Sequence, residues 1–275
     1  MRPVTSSYSK SDPAAAVRAT TNAPHAPLAR ELGSLANVSG PNGIYIGWRP
    51  ADAADERRHR LLAEVTVGLE RTKAMLARLG PDLAQSGLLA AFETRAPATY
   101  LHACRVAEGA VALASRIGLP AMEVSGIGRA ALFHDIGKLA IPLHILDRPG
   151  SLSDDEMAIL RLHVTIGAEL LAGIPVLAAT APIVRATHER HDGSGYPFGL
   201  AGSTIPVGAR IIALIDAHDA MTARRPYGTP LSWSDATAEL VRCAGTHFDP
   251  DVVQAWSTMF GGESMPAVAA VAAGA

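Results

Sequence analysis

The chain has 275 residues, 48% of them hydrophobic but only 5% aromatic, with 24 Lys and Arg against 26 Asp and Glu for a formal charge of −2. That length is enough to bury a real core in one large domain or two small ones. The balanced charge excludes a global basic field for non-specific nucleic-acid binding, and no stretch reaches the ~18 apolar residues of a membrane span. The two cysteines, Cys104 and Cys243, lie outside any CxxC pair, so a disulfide framework is not expected and a reducing compartment fits. The first twenty residues carry no apolar run of signal-peptide length, and the expected location is the cytoplasm.

Abundant Ala and the lack of β-branched runs predict a mainly helical protein. Residues 1–45, rich in Ala, Pro, Ser, Thr, Gly and Asn, are expected to form a poorly ordered tail. Apolar positions at Leu61, Leu62, Val65, Val67, Leu69, Met75 and Leu76 predict a helix over 51–79, stopped by Gly80-Pro81. A shorter helix is predicted over 82–93. Together these form a helical N-terminal region, 46–92, with no motif attached to chemistry; it reads as a helical cap or a dimerisation helix pair. From Thr99, placed as a cap, a helix is predicted to Ile117, then another from Met122 to His134 ending at Gly137. Ser153-Asp154-Asp155-Glu156 is a capping box, with Leu152 and Met157 spaced for a hydrophobic staple. Further helices are predicted over 176–190 and 208–222, and after Asp249-Pro250, where Pro sits in the first turn. No strand pattern and no internal repeat is visible, and residues 261–275 read as a fraying tail.

Seven of the ten histidines fall between His102 and His218. His134-Asp135 follows an apolar run, Ala130 to Phe133, and precedes Ile136-Gly137-Lys138. A polar pair at the end of an apolar helix is costly to bury unless it is paired or bound to metal. Its plain structural reading is a His at a helix terminus, where the dipole favours it. His163 lies at the edge of the apolar stripe of its helix, His102 begins an otherwise apolar helix, and His188 leads into a glycine-rich loop. Asp216 sits within the apolar stretch Ile211 to Ala217, where it needs a cation or several donors; a salt bridge to Arg210 is the structural alternative. Imidazole and carboxylate without thiolate suit Mn, Fe, Zn or Co. Six ligands exceed the needs of one four-coordinate zinc, and Asp135 is placed to bridge two ions, an arrangement suited to phosphoester hydrolysis. Lys138 can neutralise a phosphate or protonate a leaving oxygen, and Arg224 and Arg225 can clamp phosphates.

These residues resemble a known family. His134-Asp135-Ile136-Gly137-Lys138 looks like the HD motif of metal-dependent phosphohydrolases. Thr187 to Pro197 (THERHDGSGYP) closely resembles the HHExxDGxGYP signature of HD-GYP domains, and the similarity extends over about 93–260. The resemblance implies an all-α, HD-type helical bundle over 93–260 that hydrolyses cyclic di-GMP to pGpG or GMP. It implies two divalent metal ions, Fe or Mn, held by His102, His134, Asp135, His163, His188 and Asp216. Asp135 and Lys138 match catalytic positions. Arg225 matches a phosphate contact, and Gly195, Tyr196 and Pro197 match a substrate loop that in some members docks diguanylate cyclase (GGDEF) domains. No nucleic-acid or membrane partner is implied; a homodimer is one assembly open to the chain. Three positions depart from the pattern. Thr187 stands where the family has a ligand His, with His191 as a candidate replacement. Ala98 stands where members with a third metal have Glu, and Gly228 follows Arg225-Pro226-Tyr227 in place of a basic residue. The first departure keeps open a second reading, a weakened module that binds cyclic di-GMP or a cyclase domain without turnover. A phosphohydrolase for another nucleotide is the third.

Overall fold

The computed structural model describes residues 53–223 and 229–260. The expected tails at 1–45 and 261–275, and Arg224, Arg225 and Gly228, lie outside the described residues. The described residues form eleven α-helices joined by short 3-10 turns, with no strand beyond one isolated bridge between Ala244 and Phe248. The all-α expectation therefore holds.

Helix α1 (Ala53–Leu79) runs straight to Gly80, which adopts a left-handed φ of 73° and lets α2 (Pro81–Arg95) start on a proline. α3 (Pro97–Ile117) opens on Pro97 with no side-chain cap, so Thr99 is not the cap the sequence suggested. It ends on Gly118 at φ 86°, which returns its amide to the Ala114 and Ser115 carbonyls. α4 (Ala121–Leu132) ends before His134 rather than at Gly137. Phe133, His134 and Asp135 turn out of the helix into a 3-10 segment, Ile136–Ala140. A four-residue helix, α5 (Leu143–Leu146), follows; the sequence reading missed it.

The Ser153 capping box forms as expected and starts α6 (Asp154–Arg161): the Ser153 hydroxyl accepts from the Glu156 amide, and Glu156 accepts from the Ser153 amide. The staple does not form as drawn, because Leu152 packs on the core while Met157 is exposed. Helix α7 (His163–Ala172) is separate from α6, broken at Leu162. At that break His163 donates from Nδ1 to the Leu160 carbonyl, 2.7 Å away. The helix predicted over 176–190 shrinks to a 3-10 turn, Ala178–Thr180, and α8 (Ala181–Arg185). His188 thus stands on a turn beyond α8. α9 (Val207–Thr222) and α11 (Pro250–Phe260) lie close to their predicted bounds. Between them is α10 (Trp233–Arg242), which the sequence reading missed; its signal was Ser232, whose hydroxyl accepts from the Asp235 amide.

Two large apolar cores result, beside a small cluster of Ala186, Ile205 and Ala209. The larger unites Leu88 and Phe92 of α2, Val106 and Leu113 of α3, Ile127 of α4, Ile211 to Ile215 of α9, and Trp256 of α11. The smaller joins Leu61, Leu62, Val65 and Leu69 of α1 to Ile141, Ile145, Ile159 and Ile166. Two elements feed both. The 3-10 segment sends Ile136 and Leu139 into the first core and Ala140 into the second. α7 sends Ala168 and Leu171 one way, Ile166 and Leu170 the other. The segments bearing His134-Asp135 and His163 are therefore clamped from two sides. At about 1.5–3 kcal/mol per fully buried large aliphatic side chain, this clamp holds the site against thermal drift.

Candidate metal centre

His134 and Asp135 are 1% and 3% exposed. Their turn is pressed onto α7 so closely that a Cβ on Gly137 would lie 1.9 Å from the His163 carbonyl oxygen. Only glycine allows that approach, and the approach puts Asp135 beside His163. The ligand atoms of His102, His134 and Asp135 lie within 4.8 Å of one another, and so do those of Asp135, His163 and His188. Asp135 belongs to both groups. Asp216, on α9, joins through its Oδ1, 3.0 Å from His102 Nε2. All six residues singled out as ligands in the sequence are thus brought to one place by α3, the 3-10 turn, α7, the turn after α8, and α9.

The hydrogen bonds set which nitrogens face inward. His134 Nδ1 donates to the Ala131 carbonyl at 2.7 Å, and His163 Nδ1 to that of Leu160. Their Nε2 atoms are left with lone pairs toward Asp135, whose oxygens lie 3.6 and 3.5 Å away. His163 Nε2 and His188 Nε2 are only 3.2 Å apart. Lone pairs and carboxylate oxygens converging in a buried place ask for a cation. The donor set, nitrogen and oxygen without sulfur, fits two divalent ions sharing Asp135. Lys138 Nζ sits 2.6 Å from Asp135 Oδ2.

For Asp135, His163 and His188, electrostatics favour the same protonation states. Burial would raise the Asp135 carboxyl, yet Lys138, His134 and His163 hold it well below its usual range. Burial, with repulsion from His188, pushes His163 down to about 3, and burial lowers His188 as well. Near neutral pH these groups are an ionised carboxylate and uncharged imidazoles, the forms that ligate metals. Burial would raise the Asp216 carboxyl, but the His102 hydrogen bond together with attraction to His134 and His102 holds it below its usual range. Burial would lower His102, but Asp216 and Asp219 raise it to about 9.

The glycine-rich loop closes one side. The Tyr196 ring stacks on His188 with centroids 5.1 Å apart and 12° between planes, and the Arg161 guanidinium lies 5.1 Å over Tyr196. Gly195 is needed because a Cβ there would lie 2.3 Å from the Arg190 amide nitrogen. Glu189, 3% exposed, ties the loop down by accepting from the Phe198 and Leu200 amides at 2.7 and 3.0 Å. Pro197 is half-buried in that loop. Thr187 turns its hydroxyl to the Val184 carbonyl at 2.9 Å. His191 is in neither ligand group; its amide pairs with the His247 carbonyl, so it does not replace the missing His.

Sequence reasoning missed Asp219, Arg105, Glu189 and Arg161. Asp219 accepts from Arg105 Nε and a terminal guanidinium nitrogen at 2.6 and 2.8 Å, and from His102 Nδ1 at 2.6 Å. Its spacing from Asp216, one turn on, was the available signal. The Arg210 alternative for Asp216 fails, since Arg210 pairs with Asp249 instead.

The comparisons agree with this geometry. The HD domain family matches residues 89–252, more than half of the chain. The cyclic di-GMP phosphodiesterase response regulator RpfG of Xanthomonas campestris pv. campestris is 40% identical over 198 residues, covering 71% of this chain and 50% of that protein. The 3'3'-cGAMP-specific phosphodiesterase 2 of Vibrio cholerae is 39% identical over 166 residues, 60% of this chain and 32% of that protein. The chain thus spans half or less of the curated relatives it matches. In fold, it is similar to an HDG"Y"P protein from Bdellovibrio bacteriovorus, with a TM-score of 0.51 at 16% identity over 86% of this chain and 78% of that one. With an HD pair at the junction of two ligand groups and a Gly-Tyr-Pro loop folded over one of them, the chain belongs to the HD domain family, in its HD-GYP branch.

Proposed function

We propose that the chain is a metal-dependent phosphodiesterase that hydrolyses cyclic di-GMP to pGpG or GMP. The observation that carries this reading is Asp135, shared by two groups of buried ligand atoms. His102, His134, Asp135 and Asp216 would hold one divalent ion, and Asp135, His163 and His188 the other; of the metals these nitrogen and oxygen donors admit, Fe or Mn are the ones the family resemblance implies. When bound, such a pair would supply polarisation of the phosphoryl oxygen and activation of water for in-line attack. The protein's own contribution is positioning. Asp135 stays ionised, and His163 and His188 stay neutral, so no proton has to leave them first. Lys138, partly exposed and 2.6 Å from Asp135, is the group placed to neutralise the phosphate and give a proton to the leaving 3′-oxygen. Tyr196, flanked by Arg161 and His188, closes the side of the site where Gly195 and Pro197 would meet the substrate, and Arg225 would supply a phosphate contact. Beyond Pro197 the loop exposes Phe198 (51%), a surface suited to docking a diguanylate cyclase domain. Residues 93–260 form the phosphohydrolase unit in this reading, with α1 as its buttress, acting in the cytoplasm.

Thr187 supports a second reading, a binding module without turnover, because its hydroxyl is committed to the Val184 carbonyl. One experiment separates them. Protein loaded with Mn or Fe without oxygen is incubated with cyclic di-GMP and, separately, with 3'3'-cGAMP, and products are resolved by chromatography with Asp135→Ala as the blank. Linear product from cyclic di-GMP, absent in the blank, is expected. Product from 3'3'-cGAMP alone reassigns the substrate. No product from metal-loaded protein that still binds cyclic di-GMP favours the module.

A further inference from the structure

Three histidines of the site present Nε2 inward with Nδ1 bonded elsewhere, but they solve the problem differently. His134 and His163 stand at helix breaks, where the carbonyl three residues back is available, and each donates to it. His102 lies inside α3, where backbone carbonyls are occupied by the helix ladder. Its Nδ1 therefore needs a partner from outside the helix, and Asp219 supplies one at 2.6 Å. Asp219 is 7% exposed and gripped by Arg105 through two nitrogens. His102 and Arg105 lie one turn apart on α3, as Asp216 and Asp219 do on α9. The two helices thus meet through a matched pair of i, i+3 couples.

We propose that Asp219, locked by Arg105, is the positioning residue that fixes His102 with its Nδ1 proton directed outward and Nε2 directed to the ion shared with His134 and Asp135. The proposal rests on the metal reading above. A carboxylate only accepts, so it forces the proton onto Nδ1 and leaves Nε2 able to ligate. An amide in its place cannot satisfy both neighbours. With its oxygen toward Arg105, the NH2 faces His102 Nδ1 and drives the proton to Nε2; turned over, the NH2 faces the Arg105 Nε–H.

The test is Zn2+ binding by titration calorimetry, with 15N NMR of labelled histidines in the Zn2+-loaded protein. Asp219→Asn is expected to bind about 10–100-fold more weakly. It is also expected to lose one Nδ1–H histidine signal while those of His134 and His163 persist, a selectivity that general loosening would not give. Arg105→Ala should show a smaller loss of affinity that Arg105→Lys partly restores. Equal affinity and an unchanged tautomer in folded Asp219→Asn overturn this role and leave the metal reading standing. No Zn2+ uptake by the unsubstituted chain overturns both. If Asp219→Asn does not fold, unchanged affinity in Arg105→Ala overturns the proposal.

Discussion

Gly137 touches the helix that bears His163, and a side chain there would meet the His163 carbonyl oxygen at 1.9 Å and the Gly167 amide nitrogen at 2.6 Å. Both are backbone atoms, so neither can step aside as the end of a flexible side chain would. Gly137→Ala is expected to cost at least about 1–3 kcal/mol by overpacking and to separate Asp135 from His163. Denaturant melts would show the first effect and reduced metal stoichiometry the second; unchanged stability would mean that the turn and α7 are looser than the structure has them. Single residues also show what a motif conceals. Gly195, expected at the substrate loop, also has a packing duty against Glu189 and Arg190. Glu189 went unmarked although its carboxylate anchors two loop amides.

At the scale of elements, two helix starts were legible and the breaks were not, while the Thr99 cap failed and the Ser232 cap went unseen. The Ser153 box and the Pro250 start are local patterns, satisfied by atoms two or three residues apart, and both appear where expected. Asp249 adds a long-range role to a local one: it accepts from the Asp251 amide at 2.8 Å as the cap of α11 and pairs with Arg210 of α9. Burial pushes its carboxyl up, but Arg210 and the Asp251 amide hold it below the usual range. A lowered folded pKa stabilises the fold above the unfolded value of about 4 and ceases to do so as pH falls through the folded value. Asp249→Asn is therefore expected to be about 1–3 kcal/mol less stable at pH 7, with the gap narrowing below pH 4. Denaturant titrations at pH 7 and 3 measure this; a gap independent of pH would assign the loss to packing rather than charge. The breaks at Leu162 and after Arg185 were missed because helical periodicity continues across them. What ends those helices is a histidine bonding its own turn, or a chain leaving to build the loop.

The whole molecule is organised so that two cores meet at the metal centre. α1 belongs to the smaller, and Gly68 lets it approach the Ala140 backbone, where a Cβ would lie 2.6 Å from the carbonyl oxygen. Leu62, 4% exposed, is far from Asp135 in sequence but packs in the cluster that holds the far end of the 3-10 segment. Leu62→Ala is expected to lose about 2–5 kcal/mol of stability and to weaken metal binding with it; full stability by thermal melting would show α1 to be a passenger. The sequence by itself determined the helical class, the ligand residue types and the Gly-Tyr-Pro loop, because these rest on composition, short spacing and a contiguous motif. It could not determine that Arg210 serves Asp249 rather than Asp216, that His191 stays outside both ligand groups, or that Asp219 and Arg105 stand behind His102. Those pairings join residues more than thirty and up to 117 positions apart, and only the packing of α3 against α9 and of α9 against α11 decides which buried charge finds which partner.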